Sequence, residues 1–222
     1  TALFLSAMRH FRDELRARGF RLEYRELGAH AEASLHEALQ IDLKRLRPAR
    51  VVLVQPGEHR VAQAIASAAA ATGTHCETRP DAHFFLTPAE FASWAHGRRE
   101  LRLEHFYRWM RRRSGLLMDG DQPAGGRWNF DTENRGAFGA VGPGWLPAPI
   151  AFAPDRTTLA VLAQVEQLFP SHVGQLDRFD WPVTRTEALA ALEDFVLRRL
   201  PQFGHWQDAL WQGEPWLYHS RL

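Results

Sequence analysis

With 222 residues the chain can hold one large domain, or one domain and part of another, and a 45% apolar fraction that includes 14 Phe and 8 Trp excludes a disordered polypeptide. A single cysteine, Cys76, excludes a disulfide framework and a cysteine-ligated metal site within this segment. The net charge of +1 argues neither for nor against a nucleic-acid partner until the charge is located along the chain, and it is unevenly placed: residues 98–113 carry seven Arg against two Glu.

In chain order, Phe4, Leu5, Met8, Phe11 and Leu15 make the apolar stripe of an amphipathic helix that Gly19 ends. Phe20–Tyr24 is expected to follow as a strand, and residues 31–46 as a second helix. Val51-Val-Leu-Val54 is apolar at every position, the pattern of a parallel strand covered on both faces. Gln55-Pro-Gly57 supplies a turn, residues 58–71 an alanine-rich helix, and Thr74–Arg79 a third strand. Helix and strand alternating in short turns predict a doubly wound parallel sheet. A sheet of this kind normally begins with a strand, so one strand is expected ahead of Thr1. The end at Leu222 is expected to fall short of a complete helical domain.

Thr87, Pro88 and Glu90 form a helix start with a capping box, and Thr184 with Glu187 forms another. Between them, Arg98–Arg113 is predicted helical, with Phe106, Tyr107 and Trp109 interleaved among arginines. Such a helix can grip phosphates and stack on bases, or it can be a solvated helix whose aromatic side chains face the core. Residues 117–135 are expected as an ordered loop. There Asp119, Asp121, Asp131 and Glu133 could hold a divalent cation, or accept hydrogen bonds from loop amides and from Arg127 or Arg135. Residues 136–154 are aperiodic and read as a linker. Residues 157–169 and 185–200 return to helical spacing, the second with an apolar stripe of Leu189, Leu192, Phe195 and Val196. Trp181, Trp206, Trp211 and Trp216 could stack on a flat cofactor, or fill a core. No dinucleotide fingerprint, P-loop, nucleophile elbow or zinc spacing occurs. No stretch is long and apolar enough to span a membrane and no secretory leader is visible, so the cytoplasm is the expected location.

Several blocks occur together and in one order: Leu5-Ser-Ala-Met-Arg-His-Phe11, Gln55-Pro-Gly57, Trp94-Ala-His-Gly-Arg-Arg99, Phe106-Tyr-Arg-Trp-Met-Arg111, Leu117-Met-Asp-Gly-Asp121 through Gly-Gly-Arg-Trp-Asn-Phe-Asp131 and Glu-Asn-Arg135, Trp181-Pro-Val-Thr-Arg185, Phe203-Gly-His-Trp-Gln-Asp208 and Leu217-Tyr-His-Ser220. The set resembles the photolyase-related branch of the cryptochrome/photolyase superfamily, the bacterial iron–sulfur photolyases and cryptochromes. The resemblance implies an α/β antenna domain over residues 1–116, a structured loop and interdomain linker over 117–156, and the start of an all-helical FAD-binding domain over 157–222. It implies FAD, a lumazine-type antenna chromophore and an iron–sulfur cluster as cofactors, and damaged DNA as the partner of a monomer. The antenna contacts are expected ahead of Thr1, and the cluster cysteines beyond Leu222. By the same resemblance Tyr218, His219 and Ser220 open the flavin-phosphate segment and Asp208 lies near the lesion pocket. Arg98, Arg99, Arg111 and Arg112 are the candidate DNA contacts. The implied activity is light-driven repair of pyrimidine dimers or (6-4) photoproducts. A photoreceptor without repair, and an unrelated nucleotide- or metal-dependent enzyme centred on Asp119 and Asp121, are the alternatives.

Overall fold

The structure is a computed structural model that describes residues 1–219. It is a mixed α/β chain whose contacts divide it into two compact units, Arg25–Trp128, and Thr1–Tyr24 with the chain from Asn129 onward.

The first unit is built on one strand–helix–strand crossover. Helix α2 (Leu35–Leu46) starts at Ser34, whose hydroxyl accepts from the Glu37 amide at 3.2 Å, and ends at Arg47 in the left-handed region, φ 45°. Strand β1 (Arg50–Val54), helix α3 (His59–Ala71) and strand β2 (His75–Arg79) follow. The strands pair in parallel, Val51 opposite Cys76 and Leu53 opposite Thr78. Helix α3 packs on α2 and on β2, its Ala68 and Ala69 buried because a methyl side chain lets the helix sit close. Among the described residues the sheet stops at these two strands. Two sequence expectations change as a result. Phe20–Tyr24 alternates toward and away from cover, yet joins no ladder, since a strand needs a neighbour for its amides and among the described residues none pairs with it. Val51–Val54 is covered on one face only, with Val52 40% and Val54 51% exposed, because the helices packed on this sheet do not shield that side.

Helix α4 (Pro88–Ala95) has both halves of the expected capping box: the Thr87 hydroxyl accepts from the Glu90 amide at 3.2 Å, and Glu90 accepts from the Thr87 amide at 2.8 Å. Helix α5 (Leu103–Ser114) begins five residues later than expected from the arginine run, because Gly97 turns the chain at φ 70° and residues 98–102 lead in without helical form. Gly115 ends α5 in the left-handed region, where an L side chain is strained. A hairpin of β3 (Met118–Asp119) and β4 (Gln122–Pro123) follows. The two compact units part between Trp128 and Asn129, inside the 117–135 loop.

In the second unit, helix α1 (Ala2–Ala17) packs on α6 (Arg156–Leu168) around a core of Ala2, Val161, Leu162 and Val165, with Leu5, Phe169, Leu176 and Phe179 against it. The buried face of α1 is Ala2, Ser6 and Arg9, not the expected stripe, and Phe4 and Phe11 are 67% and 51% exposed. Polar contacts fix that choice. The Arg9 guanidinium donates to Gln164, and the His10 Nε2 lies 3.3 Å from Asp155 and 3.4 Å from the Thr158 hydroxyl. Asp155 also caps α6, accepting from the Thr158 amide at 2.9 Å and its hydroxyl at 2.8 Å.

Burial opposes charge on Asp155, but the Thr158 donors and His10 outweigh it and hold the carboxyl below the usual range. A depressed carboxyl adds stability that is present above the unfolded pKa and is lost as pH falls through the folded one. Asp155→Ala is therefore expected to cost about 1 kcal/mol at neutral pH. In paired thermal melts the gap should close below pH ~4; a gap that persists there would contradict the charged cap.

Helix α7 (Arg185–Arg198) carries the second expected capping box, Thr184 with Glu187. Its expected apolar stripe is not the buried face: Leu189, Leu192 and Val196 are 55%, 43% and 42% exposed, while the smaller Ala191 is buried. Arg199, at φ −120° and ψ −42°, breaks the helix, and a further short helix, α8 (Leu200–Trp206), starts with Pro201 in its first turn. Among the described residues no helix is long and apolar enough to cross a membrane.

Candidate functional site

The first unit contains a cavity of about 840 Å³ at the carboxyl ends of its parallel strands, the edge at which open α/β sheets bind ligands. Gln55, Pro56 and Gly57 line it as the chain leaves β1, and Asp81 lines it after β2. Its walls are aromatic: Phe84 and Phe85 from the following segment, Phe91 from α4, and Phe106 and Tyr107 from α5. Thr87, Ser114 and Arg111 add a few polar groups. A small number of polar groups in an apolar recess of this size suits a flat organic ligand, and the recess is open on the side of Phe84 and Phe85, which are 73% and 74% exposed. Asp81 is held below the usual carboxyl range by the His83 amide and then by the His83 ring, at 2.9 and 2.6 Å, so it meets the cavity as an anion at neutral pH.

An aromatic cluster backs this wall. Trp94, 7% exposed, meets Phe106 edge-on at 4.9 Å, Phe91 at 5.8 Å and Trp109 at 6.1 Å. The arginines expected to contact DNA attach to these and neighbouring rings. Arg98 lies 4.4 Å over Trp94 and its Nε donates to the Trp94 carbonyl at 2.7 Å. Arg111, only 6% exposed, lies 5.3 Å over both Tyr107 and Trp128 and donates to the Leu117 carbonyl. Arg112 lies 4.7 Å over Trp128 and is exposed, as is Arg99. Three of the four thus lie on two different indoles, Arg98 on Trp94 and Arg111 and Arg112 on Trp128, and among the described residues Arg99 has no ring contact.

The second unit holds the other candidates. Tyr218 stacks on Trp206 at 6.5 Å and 16°, and Trp206 stacks in turn on Phe138 at 4.5 Å and 14°. His219 meets Phe203 edge-on at 5.8 Å, and its amide donates to the Trp216 carbonyl at 2.9 Å. Asp208 is exposed in the turn two residues after α8 ends at Trp206. Ser220 lies outside the described residues. Two glycines permit the packing: a Cβ on Gly136 would stand 2.7 Å from the His205 ring, and one on Gly142 would stand 2.8 Å from Trp211, at a φ of +74°. Arg199, 2% exposed, donates through one Nη to the Pro147 carbonyl and through the other to the Leu217 carbonyl. That fork holds Leu217 in the left-handed region at φ 45°, and so fixes where Tyr218 and His219 begin. Trp181 meets Trp216 edge-on at 5.6 Å. The four late tryptophans thus contact protein rings in this structure.

Asp119 and Asp121 are exposed at the β3–β4 turn. Among the described residues no group of three His, Cys, Asp or Glu side chains is placed to hold a metal ion. Further along the loop, Asn129 accepts from the Asp131 amide at 2.7 Å, and Arg135 pairs with Asp131 at 3.3 Å. Sequence reasoning missed the cavity and Arg199. The cavity had two visible signals, a Gln-Pro-Gly turn directly after an all-apolar strand and the paired Phe84-Phe85 after the next one. Arg199 had none, since its partners are backbone carbonyls 52 and 18 residues away.

Residues 1–181 match a family model described as deoxyribodipyrimidine photo-lyase-related protein. The chain is also 44% identical over 223 residues to a protein of Agrobacterium fabrum (strain C58 / ATCC 33970) described as a (6-4) photolyase, an alignment that covers 100% of this chain and 43% of that relative. The chain therefore spans less than half the length of the curated relative it matches.

Proposed function

The chain belongs to the deoxyribodipyrimidine photo-lyase-related family, and from that premise we propose that it is part of a light-driven DNA repair protein that acts on (6-4) photoproducts. The observation that carries the proposal is 44% identity to a (6-4) photolyase along the whole of this chain. The whole protein is proposed to be a cytoplasmic monomer and a lyase, and this segment is not expected to be active by itself.

The residues present suit the implied cofactors to different degrees. For FAD, Tyr218 and His219 offer a hydroxyl and an imidazole, both able to donate hydrogen bonds to phosphate oxygens, and both are half-buried on the aromatic stack of Trp206 and Phe203. They fit a pyrophosphate-binding role that Ser220 would extend. When bound, the flavin supplies the photoexcited electron that opens the lesion. The work proposed for this chain is to hold the segment that carries Tyr218 and His219, through the Arg199 fork, and to offer the Asp208 carboxylate, exposed in its turn, as a contact for damaged DNA. For an antenna chromophore, the aromatic recess at the ends of β1 and β2 fits in size and lining. For a cubane cluster the chain does not fit, because Cys76 is its one cysteine.

Arg99 and Arg112, both exposed, are proposed as phosphate contacts. Arg98 and Arg111 are engaged with Trp94, Trp128 and backbone carbonyls, which suits them to hold the aromatic scaffold. The proposal is tested by purifying the full-length protein and recording its absorbance. A flavin band that bleaches on photoreduction is expected, and a full-length protein that holds no flavin refutes it.

A further inference from the structure

The basic corner between α4 and α5 contains a second recess, about 520 Å³ in volume, that shares no lining residue with the one at the strand ends. Glu90, Trp94, His96, Arg98, Trp109 and Arg113 line it. Two guanidiniums are laid there on neighbouring indoles of the aromatic cluster. Arg98 lies 4.4 Å over Trp94 and Arg113 5.4 Å over Trp109, and the two indole centroids are 6.1 Å apart. Packed rings hold the cations in place, so less side-chain freedom is left to lose when a ligand arrives. Arg98 spends its Nε on the Trp94 carbonyl at 2.7 Å, while its Nη groups have no hydrogen-bond partner among the described residues. The charge around the recess does not balance. Glu90 is the one carboxylate among its lining residues: one oxygen pairs with Arg113, and the other accepts from the Thr87 amide at 2.8 Å and the Thr87 hydroxyl at 3.0 Å. Glu100, the next acid along the chain, is paired with Arg102 at 2.6 Å. Two guanidiniums around one recess repel each other, and a single carboxylate offsets only one of them. The carboxyl end of α4 disfavours an anion, but its last carbonyls are in use. Ala92 accepts from the His96 amide, Trp94 from the Arg98 Nε and Ala95 from the Arg98 amide.

An oxyanion removes this imbalance. A planar guanidinium gives paired N–H donors to such a group. His96, exposed and without a side-chain partner among the described residues, offers a ring N–H in either tautomer. Two guanidiniums and an imidazole supply more donors than the two oxygens of a carboxylate suit, and they match the several oxygens of a phosphate. We propose that this recess binds a phosphate group, with Arg98 and Arg113 as its charged contacts and His96 as a further donor. The site is made wholly of residues of the first unit and uses none of Asp208, Tyr218 and His219. Arg98 serves the aromatic scaffold through its Nε and the phosphate through its Nη groups. The phosphate is that of a DNA strand or of a free phosphate ester, and binding measurements separate the two.

The test uses the full-length protein. Calorimetric titration with inorganic phosphate is read against sodium chloride of equal ionic strength, and fluorescence anisotropy follows an undamaged, dye-labelled DNA duplex. Arg98→Gln and Arg113→Gln are each expected to weaken binding about tenfold. Ser93→Asp adds a carboxylate to the recess lining, leaves the cations on their rings, and should weaken binding at least as much. Arg102→Gln removes an equal charge from a surface pair outside the recess and should leave affinity within about twofold. That pattern in the duplex assigns the phosphate to a DNA strand, and the pattern in inorganic phosphate alone assigns it to a free ester. The pattern in neither ligand, or an equal loss from Arg102→Gln, overturns the proposal. Should Arg98→Gln alter the circular dichroism, Arg113→Gln and Ser93→Asp decide, since both positions are exposed. No light, flavin or lesion enters the measurement, so failure here is distinct from failure of the repair activity.

Discussion

Trp94→Ala is expected to destabilise the first compact unit by about 3–5 kcal/mol. The indole is 7% exposed and stands at the meeting point of Phe91, Phe106 and Trp109, with centroids at 5.8, 4.9 and 6.1 Å. Truncation removes its transfer free energy and opens a void that three rings and the Arg98 guanidinium cannot close, since Phe91 is fixed to α4 and Phe106 and Trp109 to α5. Trp94→Phe keeps the ring plane and should lose much less. Its indole nitrogen is buried without a hydrogen-bond partner, so the smaller ring removes no bond. Urea denaturation of the full-length protein, followed by tryptophan fluorescence, reads both variants. An alanine variant as stable as the phenylalanine one would show that the cluster is not the core of this unit.

Arg199→Met carries the second large effect, and it links stability to the site. The buried guanidinium serves the Pro147 and Leu217 carbonyls together, and its loss leaves two acceptors with weakened satisfaction. A cost of about 3 kcal/mol is expected. More telling is the effect at Leu217, whose left-handed φ of 45° depends on that contact, and at the two residues that follow it. If Tyr218 and His219 hold flavin phosphate, the methionine variant of the full-length protein should lose flavin on gel filtration under conditions where its circular dichroism is unchanged. Arg199→Lys keeps the charge but not the planar fork, and should recover stability better than flavin retention. A methionine variant that stays folded and keeps its flavin separates the Arg199 fork from cofactor binding.

What the sequence made legible was local. Thr87 with Glu90 and Thr184 with Glu187 form their capping boxes as predicted, because each box lies within four residues and needs no partner elsewhere. Strand β2 and the helices α6 and α7 fall close to their expected ranges for the same reason. Faces were less legible than elements. The stripe of Phe4, Met8 and Phe11 has the right period, but the buried side of α1 is chosen by Arg9 and His10 reaching Gln164, Thr158 and Asp155, about 150 residues away. Val52 and Val54 were expected to be covered because they are apolar, yet cover depends on whether another layer is present. The candidate residues were legible as blocks, and their roles were not. Arg111 reads in sequence as one cation in a basic run, and only burial separates it from Arg112.

Defined lesions test the proposed light-driven repair most directly. Full-length protein is incubated with one duplex carrying a single (6-4) photoproduct and a matched duplex carrying a single cyclobutane dimer, each under blue light and in darkness. The expected result is restoration of the (6-4) duplex in light and its survival in darkness. A flavin-loaded protein that leaves both lesions intact under illumination would contradict the proposed repair activity.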